Sequence, residues 1–196
     1  MTNKRADILA ASTRSIAQFG VRGLRVNDVA AEAGVSPGLL YYHFKDRAGL
    51  LAATLQHINE QSVGSAGSAE ADSYERLQNL LLDEIRDNPE VREASAAWNE
   101  LRASAVFEAS IAEPLRESTR QWISNVSRAI EDAQAAGRVD TRTDARQNAV
   151  VLTALVEGLS GRWLGGSLTT DEARDHLRQA VHSLLQNNDD GGRPRP

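Results

Sequence analysis

Residues 36–47 carry the chain's most chemically distinctive run: Ser36-Pro37-Gly38-Leu39-Leu40-Tyr41-Tyr42-His43-Phe44-Lys45-Asp46-Arg47. At helical spacing Leu40 and Phe44 share one apolar face. Pro37, Gly38, Leu39, Tyr41, Tyr42 and His43 then point elsewhere. Two tyrosines, a histidine and a glycine are odd solvent residues, but they suit a polyanion. Phenolic hydroxyls and imidazole N–H groups donate to phosphate oxygens, and apolar carbons meet thymine methyls. Gly38 lets a backbone come close. Lys45 and Arg47, beside the start of another helix, suit a phosphate. Tyr41 reads equally as a DNA contact or as packing between two helices.

Other chemistries find no residues to carry them. The chain has no cysteine, which removes disulfides, thiolate metal sites and cysteine nucleophiles. His57, His176 and His182 have no metal-ligand spacing. Glu93, Glu100 and Glu108 read as a solvated helix face. No nucleophile sits with a base, and no glycine-rich loop could cradle a phosphate. The expectation is therefore no enzyme, no metal and no cofactor.

Charge placement agrees with a nucleic-acid partner, although the net charge of −5 argues against one. The first fifty residues hold seven basic and four acidic side chains, and the remainder fifteen against twenty-three. A +3 head thus precedes a −8 body. Lys4, Arg5, Arg14, Arg22, Arg25 and Lys45 are the expected sources of salt-dependent affinity. No apolar run reaches the roughly 20 residues of a membrane helix. The first seven residues lack a signal-peptide core, so a cytoplasmic chain is expected.

The elements that must present these residues are nearly all helical. A first helix ends at Phe19-Gly20, and a second, from Val26, stops at Gly34. Gly34-Val35-Ser36 forms a turn, with Val35 plugging the angle between helices, and a third helix starts at Ser36-Pro37. Helix, three-residue turn and capped helix make a helix-turn-helix pattern. Asp46 caps a fourth helix, followed by a loop over residues 61–72. Asp72 starts a fifth helix, and Asn88-Pro89 separates it from a sixth that runs to about Phe107. The seventh ends at Gly137. Thr143 is the expected N-cap of an eighth helix that is apolar almost all round over residues 149–159. Thr169 and Glu172 form a capping box for a ninth.

The run Ala-Gly-Val-Ser-x-Gly-x-Leu-Tyr-x-His-Phe-Lys-x-Arg, preceded by Phe19-Gly20 and an Asp-Val-Ala segment, resembles the signature of the tetracycline-repressor (TetR) family. The resemblance covers residues 4–55. Residues 154–159, with their spacing to Trp163, are similar to a subclass that includes betaine- and choline-responsive repressors. The resemblance implies an all-α chain of about nine helices. An N-terminal three-helix DNA-binding domain (1–46) would precede an effector-binding and dimerisation domain (47–187) and a disordered tail (188–196). Two departures stand out. Arg25 replaces the family's usual capping Thr, at an expected cost of about 1 kcal/mol. Ala48 and Gly49 replace acidic residues, which predicts a weakly started fourth helix.

These readings assign sites. DNA-binding residues are Arg25, Asn27, Ser36, Pro37, Gly38, Leu39, Tyr41, Tyr42, His43, Lys45 and Arg47. Taken singly, Trp98, Phe107, Trp122 and Trp163 are ordinary core. As a group with Tyr74, Asn99 and Arg102, or Glu100, they are candidates to line an effector pocket. Leu152, Leu155, Gly158, Leu159, Leu177, Val181 and Leu184 are candidates for a dimer interface, the alternative being burial within one copy. The expected function is a homodimeric repressor on a palindromic operator in double-stranded DNA, released by an unidentified small molecule. An activator or ligand-independent regulator of the same fold is the alternative, with a helical enzyme or an adaptor more remote.

Overall fold

The computed structural model describes residues 4–64 and 72–186. Among them are nine helices and no strand, the all-α architecture expected. The helices are α1 (Lys4–Gly23), α2 (Val26–Glu32), α3 (Pro37–Phe44), α4 (Arg47–Gly64), α5 (Ser73–Leu82), α6 (Pro89–Ser104), α7 (Ala109–Ala135), α8 (Ala145–Leu164) and α9 (Thr170–Leu185). No helix of the described residues is long and apolar enough to cross a membrane. The segment expected to be a disordered tail lies outside the described residues.

Local signals start most of these helices. Ser36 accepts from the Leu39 N–H at 3.2 Å, with Pro37 in the first turn of α3. Asp72 accepts from the Tyr74 and Glu75 N–H groups, both at 2.9 Å. The Thr169–Glu172 capping box is complete. Elsewhere the boundaries move. The N-cap of α8 is Asp144, which accepts from the Gln147 N–H at 2.9 Å, while Thr143 is buried. Helix α4 runs through residues 61–64, the start of the expected loop. Helix α6 stops at Ser104, short of Phe107. Gly20 does not end α1; it kinks it at φ +72°, and the helix resumes to Gly23.

Two compact units form, neither contiguous in sequence. The first comprises residues 1–61 and 88–119, the second residues 62–87 and 120–196. In the first, α1 packs broadly on α6, and α2 packs on α1 and α3. Its core joins Ile8, Leu9 and Ile16 of α1, Leu40 and Phe44 of α3, Leu50, Leu51, Leu55 and Ile58 of α4, and Leu101 and Ile111. The helix-turn-helix therefore shares its core with α4, α6 and the start of α7, so the packing unit extends well past residue 46.

In the second unit α5, α8 and α9 pack on one another. Arg174 of α9 staples the end of α5 by donating to the Leu82 and Ile85 carbonyls, the latter at 2.8 Å. Leu152, Leu159, Leu177 and Val181 are buried here. Each is covered by its own chain. Leu155 and Leu184 are half-buried, and Gly158 is exposed.

Candidate nucleic-acid interface

The recognition helix α3 presents the face that the spacing implied. Leu40 and Phe44 are buried in the core. Tyr42 is 81% exposed, Tyr41 is 47% exposed, and Pro37 and Gly38 are exposed. Leu39 and His43 are half-buried. His43 stands edge-on to Tyr42, with ring centroids 5.5 Å apart, so the two rings form one projecting aromatic surface. Tyr41 lies on the open side, which favours surface over packing. Gly34 has φ +62°, the left-handed conformation its turn requires. Val35 packs against the core as expected.

The end of α3 is strained. Lys45 has φ 63° and ψ −56°, and the Asp46 N–H donates to the Phe44 carbonyl at 2.7 Å. That is a γ-turn of the rare positive-φ kind, costing roughly 1–3 kcal/mol for a residue with a Cβ. It leaves Lys45 exposed at the tip of the recognition helix. Gly49 permits the turn: a Cβ there would lie 2.1 Å from the Phe44 carbonyl oxygen. Its N–H is capped by Asp46 Oδ1 at 2.7 Å. The start of α4 is therefore firm, contrary to the expectation drawn from the missing acidic residues.

The cations divide into two sets. Arg14 pairs with Glu32, Lys4 lies 3.5 Å from Asp7, and Arg5 sits 5.6 Å above the Phe44 ring. Among the described residues the side chains of Arg22, Arg25 and Lys45 show no hydrogen-bond or ion-pair partner, and each residue is exposed. Asn27 is exposed beside Arg25. Arg25 is the N-cap residue of α2 without a side-chain cap bond, as the departure from Thr implies. Arg47 belongs to neither set. Its guanidinium donates to Glu108 at 2.9 Å and to the Val21 carbonyl, so its fork is directed into the protein. Ser36 likewise has its hydroxyl engaged in the cap of α3.

The candidate effector residues fall in different units. Trp98, Asn99, Arg102 and Phe107 belong to the first unit, and Tyr74, Trp122 and Trp163 to the second. Trp98 packs against the first unit's core, while Asn99 bonds to the Ser95 carbonyl and to Arg102. Phe107 is 84% exposed on the rim of a cleft of about 540 Å³ lined by Arg22, Glu100, Ala103, Ser104 and Glu108. Trp122 and Trp163 are buried, the latter donating its indole N–H to Thr170 at 2.9 Å. Among the described residues the Tyr74 hydroxyl is buried without a hydrogen-bond partner, and burial raises its pKa. Glu100 and Glu108, read from sequence as a solvated face, are both engaged in bonds to other helices. No local pattern marks them, because their partners lie 79 and 61 positions away. The described residues contain no cluster of His, Asp or Glu able to hold a metal ion.

An all-helical chain that projects a polar, aromatic and basic helix from a turn built on Gly34 is a helix-turn-helix DNA-binding protein. Residues 8–54 match the family of bacterial regulatory proteins of the tetR type, and residues 73–186 match the BetI-type transcriptional repressor C-terminal domain. The chain belongs to the TetR family of transcription regulators, with a C-terminal domain of the BetI type; these are regulators and not enzymes. It is 29% identical over 169 residues to the HTH-type transcriptional regulator BetI of Burkholderia ambifaria, covering 84% of this chain and 82% of that one. A TetR-family transcriptional regulator from Rhodococcus sp. superposes with a TM-score of 0.90 at 52% identity, covering 94% of this chain and all of that one. A transcriptional regulator from Saccharomonospora viridis in complex with choline superposes with a TM-score of 0.72 at 25% identity, covering 92% and 96%.

Proposed function

We propose that this chain is a homodimeric repressor that binds a palindromic operator and is released by a small-molecule effector. The observation that carries the reading is the outward face of α3: Tyr42 largely exposed, His43 edge-on beside it and Lys45 held outward in a strained turn, while Leu40 and Phe44 anchor the helix. The residues proposed to touch DNA are Arg25, Asn27, Pro37, Gly38, Leu39, Tyr41, Tyr42, His43 and Lys45. In a dimer two such helices would enter successive major grooves about 34–36 Å apart.

The surface proposed for dimerisation is the outer stripe of α8. Val150 and Val151 are each 45% exposed, and Ala154, Leu155, Gly158 and Gly161 continue that side at helical spacing. A second copy would cover it.

The effector is proposed to be a small organic molecule. The choline complex of the similar S. viridis regulator supports this class. Tyr74 is the polar handle proposed for it, since a buried hydroxyl without a partner is available to a ligand. The test is His43→Ala with Lys45→Ala, assayed on a duplex enriched from a random-sequence pool by the wild-type protein. Weaker binding with dimerisation intact is expected. Unchanged affinity at physiological salt would overturn the placement of the recognition helix.

A further inference from the structure

The turn after Gly20 is held by side chains from two other helices, Glu100 of α6 and Arg47 of α4. The kink at Gly20 sets Val21 in a turn, where its N–H takes a side-chain acceptor and its carbonyl, which accepts from the Leu24 N–H at 3.3 Å, has room for a second donor. The Val21 N–H donates to Glu100 Oε1 of α6 at 3.1 Å, in the manner of an N-cap supplied by another helix. The Val21 carbonyl accepts from one arm of Arg47 at the start of α4. The other arm donates to Glu108 at 2.9 Å, and the Ser104 hydroxyl donates to Glu100 at 3.2 Å. Side chains thus grip both faces of one residue's backbone. Gly20 itself admits the grip, because a Cβ there would sit 3.0 Å from Glu100 Oε1.

Two residues separate the end of α1 at Gly23 from α2, which begins at Val26 and packs on both α1 and α3. A small rotation of the Val21 turn would therefore pass through α2 to the recognition helix. Base readout needs that helix in register, whereas attraction to phosphates depends mainly on how many cations are near.

We propose that Glu100 and Arg47 are positioning residues for operator recognition: they fix the turn that aims the helix-turn-helix and touch no DNA themselves. The proposal rests on the DNA-binding reading of α3 and is separable from it by experiment. Simple electrostatics predicts the opposite sign for Glu100, since removing an anion from the DNA-binding unit should strengthen binding to any duplex. It predicts no change for Arg47→Lys, which keeps the charge. A single ammonium cannot serve both the Val21 carbonyl and Glu108, so positioning predicts a loss.

The experiment measures the full-length protein on two probes: the duplex enriched by the wild-type protein and a random-sequence duplex of equal length. Glu100→Ala should weaken binding to the enriched duplex about tenfold, the size of one charge-assisted hydrogen bond. Glu100→Gln, which keeps the acceptor, should restore most of it. Arg47→Lys should weaken binding to the enriched duplex severalfold with an unchanged salt slope. All three should leave the random duplex unaffected. Tighter binding of the Glu100 variants to both probes, a reduced salt slope for Arg47→Lys, or equal weakening on both probes would each overturn the proposal. Should Glu100→Ala fail to fold, the Gln and Lys variants decide it. Failure of the wild-type protein to enrich any duplex would instead sink the DNA-binding reading itself.

Discussion

Replacing Arg25 by Thr should stabilise the protein and weaken its hold on DNA. Arg25 occupies the N-cap of α2 with φ −112° and ψ 122°, a backbone that a capping Thr adopts without change. Its carbonyl already accepts from the Asp28 N–H at 3.0 Å and the Val29 N–H at 3.1 Å, so the helix start is formed and lacks only the side-chain acceptor. Helix α2 is seven residues long, too short to be stable on its own, so its first turn matters. A Thr hydroxyl there contributes about 1 kcal/mol. In a chain of this size that is a rise of about 2–4 °C in melting temperature. The missing charge acts on DNA alone, because Arg25 has no ion-pair partner among the described residues. Removing one phosphate-neutralising cation per protomer lowers the slope of log K against log salt by about 0.9, or close to two for a dimer. Circular dichroism melts and anisotropy titrations at several salt concentrations measure both. A Thr variant that melts at or below the wild-type temperature would refute the cap argument. An unchanged slope would refute the pairing of Arg25 with a phosphate.

Gly158→Arg should give folded monomers in sedimentation, since a side chain at this exposed position meets nothing within 4 Å in its own chain; a persistent dimer would move the interface elsewhere. Gly49→Ala should cost several kcal/mol or unfold the first unit, because its Cβ collides with the Phe44 carbonyl; a melt unchanged from wild type would refute the close approach. Arg174→Met should lower stability by about 2 kcal/mol, by leaving the Leu82 and Ile85 carbonyls without their charged donor; denaturant midpoints check it. Stability should fall on acidification. The Arg142 side chain holds Asp140 at about 2, the Glu75 N–H lowers Asp72, and the Thr169 N–H lowers Glu172. Each depressed carboxylate favours the fold above the ordinary carboxylate range, and that contribution disappears as pH falls toward 2. A melting temperature flat between pH 6 and pH 3 would contradict it.

What could be read from the sequence was local. Ser36-Pro37, Asp72 and Thr169-Glu172 announce helix starts because a cap bond spans only two or three residues. The recognition face was legible for the same reason, since one turn of helix separates Leu40 from Phe44. What escaped depends on distant chain. Glu100 reads as one charge among several until α6 lies against the kink at Gly20. Arg47 reads as a phosphate ligand until Glu108 and Val21 claim its fork. Apolar periodicity on α8 and α9 could not tell buried side chains, such as Leu152 and Leu177, from the half-exposed Val150 and Val151. The strained turn at Lys45 has no composition signal. Its enabling residue, Gly49, looked like a weakness.

Hydroxyl-radical footprinting of the wild-type protein on its enriched duplex tests the central claim most directly. A pair of recognition helices in successive major grooves predicts two protected segments related by a two-fold axis, centred about 34–36 Å apart, and abolished together in the His43→Ala, Lys45→Ala double variant. A single protected segment, or one that survives the double variant, would contradict the account.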